Sequence, residues 1–226
     1  MTADARPKSK SSSAIAVERL RELIFSGQLP AGSDHLEAEL AVRLGMSRTP
    51  IREAALTLEA QGLLEVRARK GVRILPISIG DMAEIYDVMT ALESMAAGHA
   101  AAKGYSLTDL AALEQTISEM ETALSNENRE AWAAADDQFH AELVRLGGNS
   151  RVMSIVALMA DQVRRVKAVT LYMRPLPLQS NADHRDVLNA IHAGDTAAAQ
   201  AVHHAHRMEA KITLMQLLVQ NRLHML

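Results

Sequence analysis

From Asp81 to Leu223, apolar residues return every three or four positions, with hardly a stretch of the strict alternation that marks a half-buried strand. Met82, Ile85, Met89, Leu92, Met95 and Ala96, for instance, fall on one stripe. A chain patterned this way buries its apolar surface only by laying helix against helix. Tyr105-Ser106, Gly147-Gly148, Pro175 with Pro177, and Gly194-Asp195 interrupt the pattern. The predicted helices run over 81–103, 107–125, 129–146, about 149–172, 178–193 and 196–223. Aromatic residues make up only 3% of the chain, so the core must be aliphatic; the 12 methionines serve as adaptable filler and need no cofactor to explain them. Six helices of this length can enclose a ligand cavity.

The first third of the chain differs in charge and in period. Residues 1–76 carry a net charge of +3, against −6 for the remainder. A net charge of −3 for all 226 residues therefore hides a basic front piece, a hint of nucleic-acid contact. There is no cysteine, which excludes disulfides, thiol nucleophiles and thiolate zinc sites. Any metal must sit on His, Asp or Glu. The longest near-apolar run, Val152 to Ala160, falls far short of the ~18 residues a membrane span needs. The polar, basic opening MTADARPKSKSSS has no apolar segment behind it, so a cytoplasmic protein with a disordered basic arm over residues 1–12 is expected.

Within residues 13–76 three helices are predicted. The first follows Ser13 and stops at Gly27; the second spans Leu36 to Leu44 and ends at Gly45; the third is opened by Ser47 and closed by Gly62. Pro50 falls in the third helix's first turn, where a missing N–H is harmless. Two β-prone runs follow, 63–67 and 72–75, with Gly71 supplying the turn between them. Three helices and a hairpin make a winged helix-turn-helix. On the third helix Ile51, Ala54 and Leu58 share the core side, while Arg48 and Arg52 share another with Thr49 beside them. Two arginines in the first turns of a helix suit phosphates and guanine edges in a major groove. The hairpin adds Arg67, Arg69, Lys70 and Arg73. Leu56 faces near the arginines, where it either meets a thymine methyl or packs under the wing. His35 has no physical explanation in the sequence.

In the rear piece, Asp136 and His140 stand four apart and project from one helical face. His184 belongs to the fifth helix of that piece and His206 to the sixth. Three imidazoles and one carboxylate would complete a shell for Zn²⁺, Ni²⁺ or Mn²⁺. The spacing alone is equally that of surface or capping histidines.

The stretch from Leu20 to Gly27, then LAVRLGMSRTPIREA over 40–54, Gly62-Leu63-Leu64 and Gly71 resembles the DNA-binding domain of GntR-family transcriptional regulators. Residues 81–222 resemble the all-helical FCD ligand-binding domain of that family's FadR-type subgroup. The resemblance implies a mainly α chain: a winged helix-turn-helix over 13–76, then a helical bundle over 77–226 that binds effector and metal and dimerises. It implies operator contacts from Arg48, Thr49 and Arg52 with Arg43 nearby, and a wing of Arg69, Lys70 and Gly71 near the minor groove. Asp136-x-x-Phe139-His140, His184 ahead of Val187-Leu188, and His206 eleven residues beyond Asp195 match the metal-binding pattern, which makes Asp136, His140, His184 and His206 the implied ligands and His203 the runner-up to His206.

Two departures stand out. Pro30-Ala31-Gly32 replaces the usual Pro-Gly. Met89 stands four residues before Glu93, where many relatives place an arginine that meets an anionic effector. Arg164 and Arg165 are the substitutes the sequence offers.

The expected function is that of a homodimeric transcriptional regulator. It would bind double-stranded operator DNA and a small-molecule effector, with carboxylate chemistry, at or near a divalent metal, and no membrane. The alternative is a histidine-rich metalloenzyme of the hydrolase type. A regulator whose metal is purely structural is a third reading.

Overall fold

The computed structural model describes residues 11–223, and its chain divides into two units that meet in sequence between Ile77 and Ser78. The first ten residues of the expected basic arm lie outside the described residues. Its last two do not: Ser11 caps the first helix, its hydroxyl accepting the Ala14 N–H at 3.2 Å, and Ser12 opens it.

The first unit contains α1 (Ser12–Phe25), β1 (Asp34–His35), α2 (Glu37–Leu44), α3 (Arg48–Ala60), β2 (Leu64–Arg67) and β3 (Gly71–Ile74). Its core is the one the periodicity gives: Leu20 and Ile24 of α1, Leu40 of α2, Ile51, Ala54 and Leu58 of α3, and Val72 and Ile74 of β3 are all buried. Gly45 ends α2 in the left-handed conformation at φ 64°.

The wing departs from the predicted hairpin. It is a three-stranded antiparallel sheet in the order β1-β3-β2, with Asp34 opposite Arg73 and His35 opposite Val72. The two-residue strand β1 carries no apolar alternation, so no sequence period announced it. It does account for His35, whose backbone extends the sheet and whose Nε2 lies 2.7 Å from the Ser33 hydroxyl. Gly71 is held where β1 comes closest. Its φ is +81°, and a Cβ there would stand 2.1 Å from the His35 carbonyl oxygen.

The second unit is helical: α4 (Ile79–Ala101), α5 (Ala111–Ser125), α6 (Arg129–Gly147), α7 (Ser150–Thr170), α8 (Leu178–His192) and α9 (Thr196–Gln220), with a 3₁₀ turn at Leu171–Met173. Helix α4 is the hub and packs on α6, α7, α8 and α9. The α4–α6 crossing is tight because residue 147 has no side chain; a Cβ there would lie 2.8 Å from that of Ala96. Helix α5 begins four residues later than predicted. Ser106 and Asp109 form a turn of their own, with the Asp109 carboxylate accepting the Ser106 N–H at 2.9 Å and its hydroxyl at 2.7 Å. Leu113, Ile117, Met120, Phe139, Leu143, Val187 and Ile191 fill a core that α5, α6 and α8 share. No helix among the described residues is long and apolar enough to cross a membrane.

Candidate functional sites: a DNA-reading helix and a histidine cluster

In the first unit, α3 presents its cations outward. Arg48 has a side chain 71% exposed, and its one ion pair, to Glu37, is long at 3.9 Å. Arg52 is exposed and has no ion pair or hydrogen bond among the described residues. Ser47 sits at the N-cap position in extended backbone but makes no side-chain cap, so the leading turn of α3 is not closed from within. Arg43 is placed differently: its guanidinium donates to the Gln28 side-chain oxygen at 2.7 Å and to the Gln28 carbonyl at 3.4 Å, tying α2 to the turn after α1.

The wing's four cations divide into two pairs. Arg67 and Arg73 both reach Asp34, at 3.3 and 3.2 Å, and Arg67 also bonds Glu65. Arg69 and Lys70 form the exposed tip, Arg69 in the left-handed region at φ 63°. Leu56 is 51% exposed beside the arginines and so is not packed under the wing.

In the second unit, Asp136 and His140 of α6, His184 of α8 and His206 of α9 are all buried, and one donor atom from each lies within 4.8 Å of the others. The Asp136 carboxylate is divided between two tasks. Its Oδ2 accepts from Lys167 Nζ at 2.6 Å, while Oδ1 faces His184 Nε2 at 3.5 Å and His140 Nε2 at 3.7 Å. The His140–His184 and His184–His206 ring centroids are 5.4 and 4.5 Å apart. Two of the rings are steered by carboxylates on their far side: His140 Nδ1 lies 3.1 Å from Glu93 Oε2, and His206 Nδ1 lies 3.3 Å from Asp183 Oδ2. His184 instead leans on the Phe139 ring at 4.2 Å.

His140 Nε2 and both nitrogens of His184 are buried with no hydrogen-bond partner among the described residues. Such an arrangement is costly for polar atoms unless something else meets them. Three imidazole nitrogens and one carboxylate oxygen facing inward are a donor set that fits a divalent cation.

For Asp136 and His184 the electrostatics agree with that use. Burial would raise the Asp136 carboxyl, but Lys167 and His140 outweigh it and hold the group ionised, well below its ordinary range. Burial, reinforced by the neighbouring His206, pushes His184 well below the ordinary imidazole value, so it is neutral with a lone pair to give. His140 moves the other way: burial opposes its protonation, yet Glu93 and Asp136 prevail and raise it.

Glu93, His203 and Arg207 form a layer beneath. Glu93 is fully buried, 3.5 Å from His203 and 3.4 Å from Arg207 Nε. Burial raises its carboxyl, but Arg207, His140 and His203 overcome this and bring it down to about 2. His203, the runner-up, is not one of the cluster of four; it lies by Glu93 and Ser94, and its Nε2 is 3.4 Å from His140 Nδ1, so that Glu93, His140 and His203 form a second group whose donor atoms could hold a metal.

A cavity of about 250 Å³ opens onto the cluster. Tyr86, Trp132, Lys167, Leu171, Arg174 and Arg207 are among its lining residues. Neither Arg164 nor Arg165 reaches it: Arg164 is held by Asp137 and Asp161, and Arg165 is buried elsewhere. Sequence reasoning missed Arg207, which stands four residues after His203 and so shares its face of α9. That spacing was the available signal, masked by the expectation that a cation should come from α4.

Comparison with known proteins bears on the whole chain. Residues 13–74 match the family described as bacterial regulatory proteins, gntR family, and residues 84–209 match the FCD domain. The chain is 32% identical over 178 residues to a protein of Paenarthrobacter nicotinovorans named as a D-xylose utilization operon transcriptional repressor, covering 78% of this chain and 77% of that one. It is 24% identical over 202 residues to the Escherichia coli HTH-type transcriptional repressor RspR, covering 89% and 88%. Among solved structures, E. coli McbR/YncC superimposes with a TM-score of 0.77 at 20% identity, over 92% of this chain and 99% of that one, a likeness of fold. The metalloenzyme alternative finds no support among these relatives, which are regulators. The chain belongs to the GntR family of bacterial transcriptional regulators, with an FCD domain behind its winged helix-turn-helix.

Proposed function

We propose that this protein is a homodimeric, cytoplasmic regulator whose affinity for operator DNA is set by a carboxylate-bearing effector held at a divalent metal in the second unit. The observation that carries the reading is the inward convergence of Asp136 Oδ1 with His140, His184 and His206 around buried, unpartnered nitrogens. Arg48, Thr49 and Arg52 would read the major groove, with Arg69 and Lys70 at the wing on the neighbouring backbone or groove. Arg67 and Arg73 would hold the wing's shape through Asp34, and Arg43 would act by fixing the turn at Gln28. Two copies related by a twofold axis require a near-palindromic operator.

In the second unit Asp136, His140, His184 and His206 would hold the metal. Glu93 and Asp183 would keep the rings of His140 and His206 turned toward it. Once bound, Zn²⁺, Ni²⁺ or Mn²⁺ supplies a Lewis-acid centre with positions left for an effector's oxygens. Lys167 neutralises the Asp136 oxygen that points away. An effector changes operator affinity only by binding the DNA-competent and DNA-incompetent states unequally.

The test is fluorescence anisotropy on promoter fragments from the gene's own neighbourhood, with metal-loaded and chelator-treated protein and a panel of carboxylic acids. Salt-sensitive binding to one fragment, altered by an acid only when metal is present, is the expected result. No preference for any fragment under any of these conditions overturns the reading.

A further inference from the structure

The lining of the cavity carries information about what enters it. Four cations face it: Arg129, Lys167, Arg174 and Arg207. Lys167 is committed to Asp136 and Asp137, and Arg129 donates to the carbonyls of Leu171 and Arg174. Arg207 is the deep one. It is 2% exposed, stacks 4.9 Å from the Tyr86 ring and rests on the Met89 sulfur through Nη2 at 3.9 Å; its Nε is the atom paired with Glu93, at 3.4 Å. A buried guanidinium that spends only Nε on a carboxylate and whose Nη groups meet no oxygen among the described residues, beside the cluster that would hold a metal, is a receptor for an oxyanion.

Beyond the cavity's cations, carboxylates and cluster histidines, the polar residues of its lining are few: Tyr86, Gln179, Ser180 and Thr213. Its exposed wall is predominantly apolar, formed by Trp132, Leu171, Pro175, Leu176 and Pro177. The Trp132 indole N–H is already spent on Asn181 Oδ1 at 2.8 Å, so the ring presents a flat apolar surface. Arg129 and Arg174 share the lining with two carboxylates, Asp183 and Glu209, which offset their charge.

We propose that the effector is a monocarboxylate with an apolar body, its head between Arg207 and the metal-binding cluster and its body against Trp132, Leu171 and Leu176. Arg207 supplies from α9 the charge that Met89 does not supply from α4. This inference rests on the effector reading above.

Trp132 is the single tryptophan of the chain, so its emission reports the cavity directly. Zinc-loaded full-length protein is titrated with octanoate and phenylacetate, with their uncharged amides, and with tartrate, citrate and xylose, following Trp132 emission and melting temperature. Octanoate or phenylacetate should change the emission and raise the melting temperature, and the amides should not. The Arg207→Gln chain should bind the responding acid at least tenfold more weakly. Leu176→Asp, on a half-exposed residue where folding is not at stake, should also weaken it. Binding of tartrate, citrate or xylose in place of the apolar acids overturns the apolar-body assignment while leaving the acid-effector reading standing if the ligand is an acid. Undiminished binding by both variants overturns the assigned pose. No response to any acid overturns the effector reading together with this inference.

Discussion

His184→Leu offers a stringent test of the histidine cluster because the expected sign of its effect depends on the metal. His184 is wholly buried, and neither ring nitrogen makes a hydrogen bond among the described residues. A neutral imidazole has one N–H and one lone pair, and stranding each costs about 1–3 kcal/mol. Leucine removes both and stays apolar against Phe139, at a packing mismatch below about 1.5 kcal/mol. In chelator, the H184L chain should therefore be more stable than wild type by at least about 0.5 kcal/mol, or at least roughly 1 °C for a domain of this size. With metal at about a thousand times its Kd, wild type gains about 4 kcal/mol, and a variant with three donors left loses most of it. The order of the two melting curves should invert when metal is added. Trp132 fluorescence follows the second unit alone, since the first contains no tryptophan. An H184L chain that melts well below wild type in chelator, or shows no inversion, refutes the reasoning: the imidazole would then be serving the fold itself.

The other predictions concern the DNA-binding unit and one cap. Arg48→Ala and Arg52→Ala should each cost about 1–3 kcal/mol of operator binding, read by anisotropy, while Arg43→Ala should cost less because its guanidinium is engaged with Gln28. Gly71→Ala should lower the stability of the first unit by at least about 2 kcal/mol, about 1–2 from the left-handed φ and the rest from the clash with His35. Calorimetry should show that as a drop of roughly 8–16 °C in the first unit's transition. Hydrogen bonds from Ser106 hold the Asp109 carboxyl below its ordinary pKa, so its carboxylate stabilises the fold above that range and ceases to as pH falls through it. Asp109→Ala should therefore be destabilising at neutral pH, with the gap to wild type closing as the solution is acidified, as followed by thermal melts.

The six rear helices and the core of the front unit were legible because apolar period is a strong local signal, and both Gly45 and Gly62 stop helices where the sequence places the stops. The four-residue cluster was legible as residue types but not as a place. Nothing in Asp136 and His140 reveals that Lys167 takes one carboxylate oxygen and leaves the other facing inward. Strand β1 was hidden because two polar residues joined to a distant strand leave no period to read. Arg207 was hidden for a related reason: its role comes from Glu93, Tyr86 and Met89, more than a hundred residues earlier in the chain, and only the packing of α9 on α4 brings them together.

The lacing of β1 to β3 couples two surfaces usually thought of apart. Asp34 and His35 immediately precede the helix that supports the reading helix, yet they also carry the backbone and the ion pairs that brace the wing. Lengthening or shortening the segment from Pro30 to Leu36 by one residue would shift that register and re-aim the tip bearing Arg69 and Lys70. A change in that loop would thus act on the wing while leaving Arg69 and Lys70 themselves unaltered.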